Sequence, residues 1–139
     1  MRKVFVAITL AILCLSIVLS FTVNAQQADS WPMFHRDTSH TGYSTATGPS
    51  TNQTLWVFKI NGWVLTSPAV ANGIVYFTSS DKGYFHTSNN NIYALNAKDG
   101  SKIWNYSVSA KIYTSPAVAD GMVFFGSDDK AIYALNATT

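Results

Sequence analysis

Side chains that could do chemistry gather at a few places in this 139-residue chain. His35-Arg36-Asp37-Thr38-Ser39-His40 sets two imidazoles and a carboxylate within six residues, donor types that zinc accepts. His35 and His40 stand five positions apart, so they share no face of a strand or helix, and no fourth donor is evident. His35, Asp37 and His40 are therefore metal candidates beside a plainer reading, a loop anchored by Trp31 and Phe34. No metal is assigned. Asp128-Asp129-Lys130, with Asp81-Lys82-Gly83 at the matching place, superficially resembles a calcium-ligand cluster. Hairpin turns use Asp for backbone reasons, and that is the reading adopted. Ser67-Pro68 and Ser115-Pro116 repeat, but no His or acid is placed to activate either serine and neither sits in a nucleophile elbow. A Gly-rich phosphate loop is absent from the sequence. No catalytic residue is assigned.

Composition narrows the classes further. Arg2 and Lys3 are two of the nine cations, which leaves seven against seven Asp over residues 26–139. A neutral chain of that kind is no electrostatic nucleic-acid binder, which needs a basic face to displace counterions from phosphates. There is no Glu; every acid is Asp, which forms turns better than helices. Aromatics reach 14% and hydrophobics 47% against 12% charged residues, a balance that leans towards β structure and excludes disorder over most of the length. The single cysteine, Cys14, lies in the first apolar run. If that run is removed, cysteine chemistry goes with it.

Met1-Arg2-Lys3 followed by the uncharged Val4 to Val23 reads as an export segment, with Val23-Asn24-Ala25 offering small residues for cleavage before Gln26. The expected division is a signal peptide over 1–25, a lead-in loop over 26–53 and a repeat region over 54–139. An uncleaved membrane anchor is the alternative, because 20 apolar residues can span a bilayer. Either way the remainder is expected outside the cytoplasm, with membrane contact only through that segment. Asn52, Asn105 and Asn136 begin glycosylation sequons that such a location could use.

Self-comparison is the most informative step. Residues 66–79, TSPAVANGIVYFTS, and 114–127, TSPAVADGMVFFGS, are identical at ten of fourteen positions at an offset of 48. Upstream, Leu55-Trp56 aligns with Ile103-Trp104 and Phe58 with Tyr106. Downstream, IYALNA recurs at 92–97 and 132–137, at an offset of 40, so the first copy carries an eight-residue insertion within 80–91. Asn72-Gly73 and Asp120-Gly121 open short β-branched and aromatic runs, and such dipeptides favour tight hairpins. Strands are expected at about 66–71, 73–79, 91–97 and 102–108. The fold class is all-β.

Ala94-Leu95-Asn96-Ala97-Lys98-Asp99-Gly100-Ser101-Lys102-Ile103-Trp104 resembles the tryptophan-docking motif of pyrroloquinoline-quinone (PQQ)-type β-propeller repeats. SPAVA followed by Asn-Gly or Asp-Gly resembles the inner strands of those blades. Trp31-Pro32-Met33-Phe34 with His40-Thr41-Gly42-Tyr43 resembles the segment that precedes a first blade. The likeness covers nearly all of 31–139. It implies four-stranded antiparallel blades in which Ala94, Asn96, Asp99 and Gly100 shape a hairpin. Trp104 would fill the gap between blades and donate its indole N–H to a carbonyl.

Counted this way, the chain holds one complete blade at 66–108, an outer strand at 54–60 and three inner strands at 114–137: a partial propeller. Propellers typically hold four to eight blades. The missing neighbours are expected to be the remaining blades of a longer chain, for which this is an N-terminal fragment, or further copies of this one. Tyr84, Phe85 and His86 sit in the insertion and form a possible partner loop, beside the reading that the insertion is neutral.

The resemblance also implies two functions. One is a non-enzymatic extracytoplasmic scaffold that binds protein or glycan and needs no cofactor, like the propeller that helps assemble outer-membrane proteins. The other is the N-terminal part of a PQQ-dependent quinoprotein oxidoreductase, with PQQ and calcium. That chemistry calls for a carboxylate base, calcium ligands and, in many members, adjacent cysteines. This sequence has no Glu and no Cys after residue 14.

Overall fold

The computed structural model describes residues 30–80 and 90–139. The proposed export segment and Tyr84, Phe85 and His86 lie outside them. Among the described residues seven strands form two antiparallel sheets. The first sheet runs β1 (Ala69–Ala71), β2 (Ile74–Ser79), β3 (Asn90–Asn96) and β4 (Lys102–Val108) in sequence order. The second runs β5 (Ala117–Ala119), β6 (Met122–Ser127) and β7 (Ala131–Asn136). No helix occurs among the described residues.

The turn chemistry acts as expected. Asn72 and Gly73 have φ of 53° and 73°, and Asp120 and Gly121 have 50° and 72°. Both central residues of each two-residue turn are left-handed, the geometry whose twist matches that of the flanking strands. Ala71 therefore pairs with Ile74, and Ala119 with Met122. The β6–β7 turn puts Lys130 at φ 72°, while Lys130 N–H donates to Ser127 O at 3.1 Å. A register shift between Ala94 and Leu95 bulges β3 against β4.

The 54–60 segment departs from the expectation of a strand. It belongs to no ladder among the described residues, since strand geometry is completed by a neighbour's hydrogen bonds and none is alongside. The inner edges, by contrast, are covered. Trp31 pairs with Val70 through two backbone bonds of 2.6 and 2.7 Å, and Val118 N–H donates to Pro32 O at 2.7 Å. One stretch of two residues thereby ties β1 to β5. Trp31 is half-buried, as an anchor should be, but Phe34 is exposed and does not anchor the loop.

The core lies between the sheets. Tyr76, Ile92, Ala94 and Val108 of the first sheet meet Val118, Val123 and Phe125 of the second, joined by Ile112 and Ala137. Ser80 spans the junction: its hydroxyl donates to Ile112 O at 2.8 Å and accepts from Ile112 N at 3.2 Å. Buried polar groups there are thus satisfied by the chain itself.

Candidate functional site: the seams between blades

Two tryptophans are docked in equivalent ways. Trp56 Nε1 donates to Ala97 O at 3.0 Å, and Trp104 Nε1 donates to Ala137 O at 3.1 Å. Each indole therefore serves the following blade. The 94–100 turn receives Trp56 and not its own Trp104, whose receptor is the second copy of the same sequence.

The turn is built to hold a ring. Asn96 Oδ1 accepts from Lys98 N at 2.9 Å, and Gly100 N donates to Asn96 O at 2.9 Å. Asp99 Oδ1 accepts from Ser101 N at 2.9 Å and Ser101 Oγ at 2.6 Å. The Ser101 hydroxyl and then its N–H hold the Asp99 carboxyl below the usual carboxylate range. Gly100 has φ +72°, and a Cβ there would stand 2.6 Å from Cδ2 and Cε3 of Trp56. Only glycine meets both demands.

A three-ring cluster repeats beside each indole. Phe77 stacks on Tyr93 at 5.1 Å, with Phe58 edge-on at 5.7 Å to Tyr93. In the second seam Phe125 stacks on Tyr133 at 5.1 Å, with Tyr106 tilted at 6.0 Å. Such pairs add about 0.5–1.5 kcal/mol beyond the area they bury. One difference breaks the symmetry. Tyr76 donates its buried hydroxyl to Ala137 O at 3.0 Å, so that carbonyl also receives Trp104. The equivalent residue in the second copy is Phe124, with no hydroxyl to give. Burial pushes the Tyr76 hydroxyl above its ordinary value. Sequence reasoning did not assign Trp56 or Tyr76 a role; the 48-residue alignment of Trp56 with Trp104 was the available signal.

The titratable candidates serve their own loops. Asp37 Oδ1 accepts from Ser39 N at 3.0 Å and Thr41 N at 3.1 Å, and Oδ2 accepts from the Thr41 hydroxyl. That hydroxyl is the main reason the Asp37 carboxyl lies below its usual range. His35 and His40 stand edge-to-face at 6.1 Å, and His40 Nδ1 lies 3.3 Å from Phe34 O. Asp129 accepts from Tyr133 OH at 2.5 Å and Ala131 N at 3.1 Å. The tyrosine bond lowers the carboxyl and raises the phenol. Among the described residues no three His, Cys, Asp or Glu side chains converge on one point.

The sequon residues are exposed at Asn52, Asn105 and Asn136. Asn105 Nδ2 donates to Asn91 Oδ1 at 3.2 Å, and Asn136 Oδ1 accepts from Thr138 N at 2.8 Å. Beside the second seam, Trp104, Asn105, Tyr106, Leu135, Asn136 and Thr139 line an open groove of about 160 Å³.

Antiparallel blades in sequence order, stapled by docked indoles, are those of a partial β-propeller and are similar to PQQ-type repeats. The comparisons agree. Residues 81–139 match a family model described as outer membrane protein assembly factor BamB. Among solved structures the fold is similar to a quinohemoprotein alcohol dehydrogenase, ADHIIG from Pseudomonas putida HK5. That likeness has 23% identity and a TM-score of 0.62, over 81% of this chain and 18% of that one. At this identity it speaks for the fold, and this chain spans under a fifth of the enzyme's length. No curated protein matches the chain.

Proposed function

We propose that this chain is a non-enzymatic extracytoplasmic β-propeller module, a scaffold for protein or glycan binding. One observation carries the reading. The side chains duplicated between the two copies are those that close turns and dock rings, and Asp37, Asp99 and Asp129 have their carboxylates occupied by their own loops. Positions spent on architecture leave recognition to the loops and open faces. The match of 81–139 to an assembly-factor family supports a role in holding other proteins. Within the insertion, Tyr84, Phe85 and His86 are where a partner would be sought first.

Location outside the cytoplasm rests on the charged start and apolar run of residues 1–25. N-terminal sequencing of the protein recovered from its host should begin at Gln26. Retention of Met1 to Ala25 would make the segment an anchor.

The second reading, the N-terminal part of a PQQ-dependent oxidoreductase, is favoured by the likeness to the alcohol dehydrogenase. Adding PQQ and calcium while following absorbance and dye-linked alcohol oxidation separates the two. No saturable uptake is expected. Saturable uptake by this chain would overturn the scaffold reading.

A further inference from the structure

We infer that Asn52 is the residue through which this protein is N-glycosylated, and that the fold withholds the sequons at Asn105 and Asn136. All three triplets offer the same chemistry, an asparagine amide with a hydroxyl two residues on. They differ in how freely each can leave the surface. Asn52-Gln53-Thr54 lies within residues 47–55, which are exposed at every position and belong to no strand. No hydrogen bond to another described residue engages the Asn52 amide or the Thr54 hydroxyl. A bulky, hydrated sugar belongs on a surface segment of this kind. Trp56 docks on Ala97 O four residues further on, so a glycan at Asn52 attaches ahead of the seam and leaves it closed.

The other two sequons are tied down. Asn105 and Ser107 belong to β4, paired with Tyr93 and Asn91 of β3. Asn91 Oδ1 accepts from Asn105 Nδ2 at 3.2 Å and from Ser107 Oγ at 2.6 Å, so one cross-strand carbonyl holds both reacting groups. Lys102 Nζ adds a bond to Asn105 Oδ1 at 3.1 Å. In Asn136-Ala137-Thr138 the middle residue is pinned. Ala137 N donates to Gly121 O at 2.9 Å, while Ala137 O receives Trp104 Nε1 at 3.1 Å and Tyr76 OH at 3.0 Å. Entering an enzyme's cleft means opening a ladder at Asn105 and a seam at Asn136, whereas Asn52 breaks no hydrogen bond. Local opening spans free energies from about zero up to that of global unfolding, and the three sequons lie at opposite ends of that range. In the transfer, Asn52 Nδ2 bonds to the anomeric carbon of a sugar carried on a polyprenyl pyrophosphate. The bond from that carbon to the phosphate oxygen breaks, the pyrophosphate leaves with the electron pair, and one amide proton passes to a base of the transferase.

The inference rests on the proposed location outside the cytoplasm for where chain and sugar donor meet, so acceptor choice is measured in a purified reaction that does not depend on location. The folded full chain is incubated with an oligosaccharyltransferase and its polyprenyl-pyrophosphate-linked oligosaccharide, then digested, and sugar at each asparagine is read by mass spectrometry. Short peptides carrying each sequon are run beside it. Occupancy at Asn52 is expected to exceed that at Asn105 or Asn136 by at least about tenfold in the folded chain, with the peptides accepting comparably. Thr54→Ala, which alters an exposed side chain, should abolish modification at Asn52 with unchanged circular dichroism. Protein recovered from outside the cytoplasm of its host should carry sugar mass on the Asn52 peptide. An unmodified Asn52 in either experiment, equal occupancy at Asn105 or Asn136, or peptides that already show the tenfold preference would each overturn the inference. Protein confined to the cytoplasm would instead sink the location, with the purified reaction still deciding the acceptor.

Discussion

Ile92 and Ile132 sit at the same place in identical hexapeptides, and so do Ala94 and Ala134. In the first copy both residues are at 0% exposure; in the second, Ile132 is at 84% and Ala134 is exposed. The strands themselves do not differ. Blade one has a fourth strand along its edge and a second sheet on its face, whereas β7 has neither among the described residues. The comparison teaches that a propeller blade's sequence encodes two interfaces at once, and that burial at a given residue is decided by its neighbour.

The widest gap between the copies should appear on truncation. Ile92→Ala opens a cavity in the seam and should cost about 2–5 kcal/mol in urea unfolding. In dilute solution Ile132→Ala should stay within about 0.5 kcal/mol of the parent. Equal losses at the two sites would mean that the second face is not open.

Next comes the indole between them. Burying ~200 Å² at ~25 cal/mol per Å² bounds the contribution of Trp104 at about 5 kcal/mol. Trp104→Ala should lower the melting temperature by on the order of 10 °C. Trp104→Phe should lose less, because the ring contact survives and only the bond to Ala137 O goes. An unchanged melt for the alanine variant would remove Trp104 from the core.

Glycines sharpen the comparison at a smaller scale. Gly100 and Gly121 share φ +72°, but only Gly100 has a ring against it. Gly121→Ala should cost the left-handed strain alone, about 1–2 kcal/mol. Gly100→Ala should cost more and shift tryptophan emission as Trp56 is displaced. Identical losses would show that Trp56 is not seated there.

Acid should have the mildest effect. Asp99 and Asp129 are both held below the ordinary carboxylate value of 3.8. The folded state then binds fewer protons than the unfolded one, so their contribution is full above that range and lost as pH falls through the folded values. Asp99→Asn should flatten the acid limb of a stability-against-pH curve. A slope identical to the parent's would show that the 94–100 turn does not draw on the charge.

Much of this was legible in the residues. The 48- and 40-residue offsets located the copies, Asn72-Gly73 and Asp120-Gly121 announced left-handed turns, and the 94–104 motif marked Trp104 as a wedge between blades. The metal candidates illustrate the other side. His35, Asp37 and His40 are neighbours in sequence, but a carboxylate answering two N–H groups and a hydroxyl of its own loop is a turn residue. Spacing alone does not show which partner a side chain takes.

By itself, then, the sequence determined the period, the strands and the hairpin geometry, because alternation, turn chemistry and φ preference act within a few residues. Only the tertiary structure decided which carbonyl each indole meets, that Ala137 O serves both Trp104 and Tyr76, and that 54–60 stands in place with no strand beside it among the described residues. The physical reason is range. Turns are closed by adjacent residues, while a seam joins surfaces 33 to 61 positions apart, and its partners exist only once two sheets have stacked.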